Sequence, residues 1–394
     1  MAVIHPDIYD PVSPEAHENP YPAYERLRDE YPLYRIEKHN AWALSRYQDV
    51  KEGLRDWELF SSAQGVELGE YVQFFGPGSI QELDPPRHDV LRKILAPRFL
   101  NRRIKDYEPM IRSSAQELVA NFQNKVEIDL GAEFTQKLPI LTIFRILGIP
   151  ESEMGWATTT GLRMLNRPPN ENGPTTEAYE ARSQLVEFLE KEVERRRNTD
   201  YPDDVFGDMA RAIDQGLMES REIQGLSLLL VAAGMETTTS LMGTIVHALA
   251  TRQVSRQELQ SAQGDLPQTA IDEFLRFDAP AQWLARVTTR DVEIHGQTIQ
   301  NGSRVLMIFA SANRDPREFE SPDQLILTRD GSRNLAFGEG VHFCLGMPLA
   351  RLEAKAGISE LLKATPDFEM IGTPQRYQSH VIRGYESLPV ILRP

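Results

Sequence analysis

The chain has 394 residues, of which 41% are hydrophobic, a composition typical of a folded globular protein with ample chain for a large core. Its net charge of −15 argues against general nucleic-acid binding, because phosphate contacts require a basic face. Residues 1–10 lack the basic start and apolar run of a signal peptide, and no apolar stretch reaches the ~18 residues needed to cross a bilayer. Together with the single cysteine, which excludes an intrachain disulfide, these features predict a cytoplasmic protein that does not enter a membrane.

The N-terminal part of the chain predicts a short helix followed by two strands. The helix covers Pro20–Arg28, and the strands cover Leu33–Ile36 and Ala41–Ser45, the second with alternating apolar and polar residues. Residues 1–19 precede these elements as an N-terminal extension. We interpret the two strands as part of a sheet scaffold.

Between residues 61 and 83 the sequence loses its periodicity. Glycine and proline are mixed there with aromatic residues, including Tyr71, Phe74 and Phe75. A loop of this length in a compact domain is uncommon unless it has a function, such as covering a site. The alternative is an irregular surface loop with buried aromatic side chains.

A second helix is predicted after Pro85 and Pro86, with Asp84 as its N-terminal cap. His88 and Arg92 are four residues apart and therefore share one helix face. Two such groups facing an anionic ligand would form charge-assisted hydrogen bonds. In isolation, the pair also fits an ordinary solvated helix face.

The middle of the chain is predicted to be helical. The helical patterns cover residues 104–123, 138–147, 151–165 and 179–197. Residues 166–174, which are rich in proline, asparagine and glycine, separate the last two helices. We expect a flexible connection at that point.

A long helix is predicted from about residue 222 to 251, and its sequence contains a local contradiction. It is apolar nearly all round and should be buried, yet Gly234, Glu236 and three threonines lie at its middle. Glycine inside a helix costs ~1 kcal/mol relative to alanine, and a buried carboxylate needs a partner. Such unfavourable choices occurring together indicate a functional or strained site, the alternative being a helix kink with a satisfied polar cluster.

The next helix contains Glu273 and Arg276 on one face, a pair that alone would be a surface ion pair worth ~0.2–0.5 kcal/mol. Three short strands with turn signals between them follow at Val287–Thr289, Val292–His295 and Arg304–Phe309.

The stretch from Phe337 to Gly346 contains the only cysteine, Cys344. A lone cysteine is either an inert small hydrophobe or a thiolate with a function. Three glycines surround it, and a helix-forming run with proline near its start follows it directly. Cys344 is therefore expected at a helix N-terminus, which favours a thiolate. A dinucleotide-binding glycine loop is the other candidate, but Phe343 occupies the position of its third glycine.

This stretch resembles the haem-binding loop of the cytochrome P-450 family. The pattern Phe-Gly-x-Gly-x-His-x-Cys-x-Gly is matched at every expected position, by Phe337, Gly338, Gly340, His342, Cys344 and Gly346. A second match is the Ala/Gly-Gly-x-Asp/Glu-Thr-Thr pattern of the long helix, at Ala233, Gly234, Glu236, Thr237 and Thr238. The resemblance runs from about residue 20 to the C-terminus and implies a single domain, 1–394, that is mainly α with a small β region.

The resemblance also implies roles for individual residues. Cys344 would be the iron ligand of a haem b, and Glu236 and Thr237 would be the catalytic residues that deliver protons to the oxygen site. Glu273 and Arg276 would form a structural pair. The residues expected to bind the cofactor are His88, Arg92, Ala233, Gly234, Arg286, Phe337, Gly338, His342, Cys344 and Gly346. Those expected to line the substrate pocket are Phe74, Phe75, Gln282, Trp283, Leu284, Val381 and Ile382.

The implied activity is that of a monooxygenase that hydroxylates or O-dealkylates a small or medium apolar, or methoxyaromatic, substrate. No flavin or nicotinamide domain is visible in the sequence, so electrons from NAD(P)H would arrive through a separate ferredoxin, or flavodoxin, and its reductase. A basic cluster could receive an acidic ferredoxin, and it comprises Arg92, Lys93, Arg98, Arg102, Arg103, Lys105, Arg351 and Lys355. We expect a monomer.

Two other functions remain open on the same fold, a peroxide-dependent peroxygenase and a non-catalytic haem protein that binds a ligand. The Glu236–Thr237 pair argues against both. The chemistry of the substrate is also open, since Gln64 stands at the position where an arginine that binds a substrate carboxylate would be expected.

Overall fold

A computed structural model describes residues 7–68, 74–122, 124–168, 173–197, 199–259, 264–365 and 367–393. The helices in these ranges are α1 (Pro14–Glu18), α2 (Tyr21–Glu30), α3 (Tyr47–Arg55), α4 (Arg87–Phe99), α5 (Asn101–Ala120), α6 (Lys137–Leu147), α7 (Glu151–Leu165), α8 (Thr176–Arg197), α9 (Val205–Asp214), α10 (Ile223–Ala250), α11 (Gln268–Phe277), α12 (Phe309–Ala312) and α13 (Met347–Ala364). The strands are β1 (Leu33–Ile36), β2 (Ala41–Leu44), β3 (Phe60–Ser61), β4 (Glu127–Asp129), β5 (Leu284–Thr288), β6 (Val292–Ile294), β7 (Gln297–Ile299), β8 (Arg304–Met307), β9 (Asp367–Met370), β10 (Gln375–Arg376), β11 (Tyr385–Ser387) and β12 (Pro389–Arg393).

The largest sheet has the strand order β1-β2-β8-β5-β3. Strands β2 and β8 are parallel, with Ala41 opposite Arg304, and the other neighbours in this sheet are antiparallel. A second sheet has the order β4-β12-β9, and β6-β7 and β10-β11 form two-stranded ribbons. Strands that are far apart in sequence therefore bring the N-terminal region beside residues 284–307.

Helix α10 lies at the centre of the helical core. Its apolar residues are buried against α6, α8, α11 and α13, as expected for a helix that is apolar on every side. By length and composition the segment Ser220–Ala250, with a mean hydropathy of 1.3, could cross a membrane, but 78% of its most apolar stretch is buried inside the protein. Among the described residues, this apolar helix is therefore part of the hydrophobic core.

Several elements predicted from sequence are confirmed. Strand β1 and helix α7 have the predicted limits, and α10 differs by one residue at each end. The strand predicted at Arg304–Phe309 ends at Met307, because Phe309 begins the short helix α12. Strand β5 begins at Leu284, before the predicted start at Val287, and this difference matters for the site.

The predicted cap Asp84 is wrong. Helix α4 begins at Arg87 after Pro86, without a side-chain cap. The Asp84 carboxylate instead accepts hydrogen bonds from the Ser61 hydroxyl (2.5 Å) and the Ser62 backbone N–H (3.0 Å). It thereby fastens the end of strand β3 to the segment that enters α4.

The segment predicted as an N-terminal extension packs against the rest of the protein from residue 7 onward. Tyr9 and Val12 are buried, and His17 Nε2 lies 2.5 Å from the carbonyl oxygen of Tyr377. Tyr71, residue 123 and residues 169–172 of the predicted flexible connection lie outside the described residues.

Candidate active site

A cavity of about 1450 Å³, including solvent at its mouth, lies between α10 and the segment that leads into α13. Side chains from α4, α6, β5 and α13 complete its walls. The sequence-predicted residues that line it are His88, Arg92, Ala233, Gly234, Thr237, Leu284, Arg286, Phe337, Gly338, His342, Cys344 and Gly346. The structure thus brings every predicted cofactor-binding residue to one space, although they come from four separate parts of the chain.

Cys344 is held by a tight turn at one wall of this cavity. Gly338 and Gly340 have φ angles of 69° and 71°, which favour glycine, and Cys344 N–H donates to the Phe337 carbonyl (2.9 Å). Helix α13 starts at Met347 with Gly346 as its N-cap, so Cys344 lies just before a helix N-terminus, as predicted.

The protonation of Cys344 is set by two opposing effects. Burial is the larger effect and raises the pKa of the thiol, while the backbone N–H groups of Gly346 and Met347 and the charge of Arg92 lower it. The helix end lowers this pKa, in the expected direction, but desolvation by burial raises it more. A coordinated metal cation would deprotonate the thiol outright.

Two histidines present unpaired ring nitrogens beside the thiol. The Nε2 atoms of His88 and His342 are buried without a hydrogen-bond partner in the described residues, and their rings meet edge to face at 4.7 Å. Burial, reinforced by Arg286, His88 and Arg92, lowers the pKa of His342 to about 2. With a proton on Nε2, either ring could donate to an anionic group in the cavity.

Arg286 adds a buried charge to the same wall. It is 3% exposed, and its only hydrogen bond within the described ranges is from Nη1 to the Ala285 carbonyl (2.8 Å). Burial lowers its pKa to about 10, opposed by the charge of Asp84. Arg92 Nη2 donates to the Phe343 carbonyl (2.6 Å) and so links α4 to the cysteine turn. The wall therefore combines one thiol with cationic and neutral donors.

On the facing wall, α10 is an unbroken α-helix through Thr237. The Thr237 hydroxyl donates to the Ala233 carbonyl (2.9 Å) one turn earlier in this helix. Gly234 has a packing cause: a Cβ atom there would lie within 2.7 Å of Ile143 Cβ. The glycine is therefore required by the close contact between α10 and α6.

Glu236 does not line the cavity, and its pKa is raised above the usual value of 4.5. Burial raises its pKa to about 8, while Arg167 lowers and Glu67 raises the value. Arg167 is 5% exposed, and its Nε lies 3.6 Å from the Glu67 carboxylate. Neither Arg167 nor Glu67 is among the sequence-predicted residues, because no local pattern marks them.

A second buried acid, Glu353 of α13, lines the cavity and is also absent from the predicted set. It is 3% exposed, and burial raises its pKa to about 8 despite hydrogen bonds with Thr142 and Thr238. Glu353 lies four residues after Leu349 on the buried face of α13, a signal that periodicity could have revealed.

Of the predicted substrate-pocket residues, Leu284 lines the cavity and the other six do not. Successive side chains of a strand point to opposite faces, so Leu284 and Arg286 face the cavity. Trp283 and Ala285 belong to the core cluster on the other side of β5. Trp283 is fully buried and stacks on His380 at 5.8 Å. The prediction for Trp283 as a substrate contact is therefore corrected.

The remaining predicted pocket residues have structural partners elsewhere. Phe74 packs edge to face on Phe75 at 5.6 Å and lies under the Arg167 guanidinium at 4.6 Å. Gln282 accepts a hydrogen bond from the Tyr24 hydroxyl (3.3 Å). Val381 and Ile382 pack on the cluster that contains Trp283, and Ile382 forms a bridge with Ala281.

Glu273 and Arg276 form a fully buried, two-point ion pair at 2.7 and 2.9 Å. Arg276 also donates to the carbonyls of Asn313, Pro322 and Gln324. The pair therefore holds the segment that follows α12 against α11, away from the cavity.

Comparison with known proteins identifies the family. The family model "Cytochrome P450" matches residues 12–147 and 172–371. The chain belongs to the cytochrome P450 family. It is 34% identical over 379 residues to cytochrome P450 YjiB of Bacillus subtilis, covering 94% of this chain and 93% of that protein. It is 33% identical over 390 residues to the vitamin D(3) 25-hydroxylase of Pseudonocardia autotrophica, covering 96% and 94%.

Among solved structures, this cytochrome P450 resembles CYP109E1 from Bacillus megaterium in complex with testosterone. The TM-score is 0.89 at 29% identity, with 96% of this chain and 99% of that chain covered. The mainly α fold with a small β region is thereby confirmed. The protein is a monooxygenase whose cofactor is haem iron, and electrons reach such enzymes from NAD(P)H through redox partners.

The cavity fits a haem. Its walls present one thiol beside a helix N-terminus, the two orphaned Nε2 atoms of His88 and His342, and the buried guanidinium of Arg286 without a carboxylate partner among the described residues. A group with a metal centre and two carboxylates would satisfy all of these donors.

Proposed function

We propose that this cytochrome P450 inserts one atom of O₂ into a C–H bond of a neutral, largely aliphatic molecule, by hydroxylation or O-dealkylation. The observation that supports this best is the composition of the cavity. Apolar side chains line it opposite Cys344, and they include Ile143, Leu229, Leu230, Leu241, Leu275, Leu284 and Phe309. Bound haem supplies the oxidising chemistry, and the protein determines which C–H bond meets it.

The residues around the cofactor have separate roles in this proposal. Cys344 would ligate the iron, and His88, Arg92, Arg286 and His342 would hold the propionates by charge-assisted hydrogen bonds. Ala233, Gly234, Phe337, Gly338 and Gly346 would contact the faces and edges of the ring, since all five line the cavity. These interactions would fix the orientation of the cofactor against α10.

Proton delivery would use Thr237 and Glu236. Thr237 Oγ1 lies on the cavity wall and returns its hydrogen bond to Ala233. Rotation of this hydroxyl would present a donor to the cavity. With a pKa of about 8, Glu236 would hold a proton at neutral pH and pass it inward, and Glu67, with 19% of its side chain exposed, lies between Arg167 and solvent.

The substrate class follows from what lines the space and what does not. The predicted aromatic residues Phe74, Phe75 and Trp283 lie outside the cavity, and leucine and isoleucine supply ten of its lining residues against three phenylalanines. This favours an alicyclic or branched aliphatic substrate over a methoxyaromatic acid. Two of the similar proteins, named for vitamin D(3) and solved with testosterone, act on or bind molecules of that shape.

Electrons would come from a ferredoxin, or a flavodoxin, docked near α4 and α5. In-chain ion pairs already occupy Arg98, Arg103, Arg351 and Lys355, with partners at 2.5–3.6 Å. Lys93, Arg102 and Lys105 are exposed, and no ion pair joins them to another residue in the described ranges. The docking charge would therefore rest on these three residues and on Arg92.

The test is an optical titration of the purified ferric haem protein with steroids, cyclic terpenes, methoxybenzoates and fatty acids. We expect a saturable shift of the Soret band with the steroids or terpenes, and an NAD(P)H-dependent product when ferredoxin and reductase are added. Widening the cavity by Leu230→Ala should change the preferred ligand, whereas Leu217→Ala, on an exposed residue, should not. A shift with methoxybenzoates alone would contradict the aliphatic class. Turnover with peroxide but none with reductant would contradict the monooxygenase route.

A further inference from the structure

A second cavity, of about 1230 Å³ including solvent at its mouth, shares no lining residue with the haem cavity. Its walls come from the start of α2, the last turns of α10 and α11, and the ribbon β10-β11. Four arginines line it, namely Arg28, Arg314, Arg376 and Arg383.

Two of these arginines have carboxylate partners and two do not. Arg383 lies 3.0 Å from Asp278, and Arg314 lies 3.2 Å from Asp323. Arg28 is 3% exposed, and its only hydrogen bonds among the described residues are from Nη1 to the carbonyl and hydroxyl of Ser311. Its Nε is buried without a partner. A buried guanidinium with an unpaired N–H group costs free energy of folding unless another group or a ligand in the site pairs with it.

Arg376 is the second unpaired cation. Its Nη2 donates weakly to the Tyr385 hydroxyl (3.3 Å), and its Nη1 has no partner within the part of the chain that the structure describes. Burial and then Arg376 lower the pKa of His247, which stacks on the Tyr385 ring at 4.6 Å. Arg376 therefore places a positive charge near His247 in this wall.

The acidic residues of the cavity do not cancel these two charges. Asp278 accepts hydrogen bonds from the Tyr21 hydroxyl (2.6 Å) and Arg383, and Asp323 is engaged by Arg314. Glu18 and Glu25 also line the cavity, but both are exposed at its rim. Arg314 has a structural role at the end of α11, because it donates to the Phe277 carbonyl at 2.6 Å. This role does not account for the presence of Arg376.

We propose that this second cavity binds a small organic anion, whose carboxylate or phosphate group pairs with Arg28 and Arg376. Guanidinium groups match both oxyanions by two-point hydrogen bonding. Arg314 covers the rings of Tyr21 and Phe277, at 3.6 and 3.9 Å, and Arg376 covers that of Tyr385 at 4.5 Å, so the edges of these rings would contact the organic part of the ligand. The proposal concerns a site separate from the haem cavity and does not depend on the substrate assigned there.

The experiment is isothermal titration of the haem-loaded protein with inorganic phosphate and with citrate, at constant ionic strength, with glycerol as the neutral comparison. We expect saturable binding of at least one anion and none of glycerol. Arg376→Gln should weaken that binding about tenfold or more, and Arg376→Lys, which keeps the charge, should weaken it less. Binding of phosphate alone identifies a phosphate ester as the ligand class, and binding of citrate alone identifies a carboxylate.

Arg290→Gln is the matched control, since Arg290 is an exposed arginine whose nearest carboxylate, of Asp56, is 3.9 Å away. It should bind the anion as the wild type does. An unchanged haem spectrum and melting temperature in each variant establish that the fold is intact. Absence of saturable binding for both anions, or equal affinity in wild type and Arg376→Gln, would overturn the proposal.

Discussion

The Arg167 guanidinium lies 3.6 Å from the Glu67 carboxylate, and these two residues change the pKa of Glu236 in opposite directions. Burial is the largest effect and raises that pKa to about 8. Glu236 is therefore protonated at neutral pH and loses its proton as the pH rises through about 8. If Glu236 supplies the proton used at the haem, turnover should fall over that same range.

The first prediction concerns the basic limb of this pH profile. Arg167→Gln removes a nearby positive charge and should move the limb to higher pH, whereas Glu67→Gln removes a negative charge and should move it to lower pH. The measurement is the rate of product formation against pH with saturating substrate and reductant. Glu236→Gln should abolish the limb altogether and reduce the rate about 10²-fold or more. Shifts of both variants in the same direction would contradict this role for Glu236.

The second prediction concerns Glu353 and stability. Its folded pKa of about 8 lies above the ordinary value of 4.5, so its contribution to stability is complete below about pH 4.5 and is lost as the pH rises towards 8. The free energy of unfolding should fall by up to about 3 kcal/mol from this group between pH 5 and pH 8. Glu353→Gln should remove that part of the pH dependence, as measured by urea unfolding at a series of pH values. Glu117→Gln, at an exposed position, is the control, and an equal flattening in both variants would disprove the assignment.

The residues that line the cavity, which we propose bind the cofactor, could be predicted from sequence because they belong to short-range patterns. Cys344, its glycines and the helix that follows are contiguous, and His88 and Arg92 share a helix face by spacing alone. The main helices and strands could be predicted for the same reason, since periodicity is a local property.

Arg167, Glu67 and the location of Trp283 could not be predicted from such patterns. Arg167 and Glu67 meet across about a hundred residues of chain, and nothing near either residue indicates the other. The sequence predicts Trp283 beside the haem because this residue lies close before Arg286. Strand β5 starts at Leu284, however, and the alternation of side chains along it turns Trp283 to the opposite face. A shift of one residue in a strand is enough to exchange a pocket residue for a core residue.

The third prediction concerns the docking surface for the electron donor. Lys93→Glu combined with Lys105→Glu should slow electron transfer from an acidic ferredoxin about tenfold at low salt, and the difference should shrink as salt is added. Lys125→Glu is the control, because Lys125 follows the C-terminal end of α5, which is about 22 Å of helix away from Lys105. Stopped-flow reduction of the ferric haem measures the effect. An equal loss in the control would mean that net charge, not this surface, governs docking.

The fourth prediction tests the packing explanation for Gly234. A methyl group added there would lie 2.4 Å from Ile143 Cγ1 and 2.7 Å from its Cβ, so either α10 or α6 must move. Gly234→Ala should therefore lower the free energy of unfolding by about 1–3 kcal/mol, the usual cost of overpacking, although alanine is the better helix former.

Gly243 provides the matched control on the same helix, because its added methyl would meet only ordinary contacts, the nearest at 3.7 Å from Tyr385. Gly243→Ala should leave stability unchanged or raise it by up to about 1 kcal/mol. Truncation of the opposing side chain, Ile143→Ala, is itself destabilising but should make Gly234→Ala less harmful, a coupling that a double-mutant cycle measures by urea unfolding. If Gly234→Ala were as well tolerated as Gly243→Ala, the glycine in α10 would not owe its presence to the contact with α6, and clearance for the cofactor would become the better explanation.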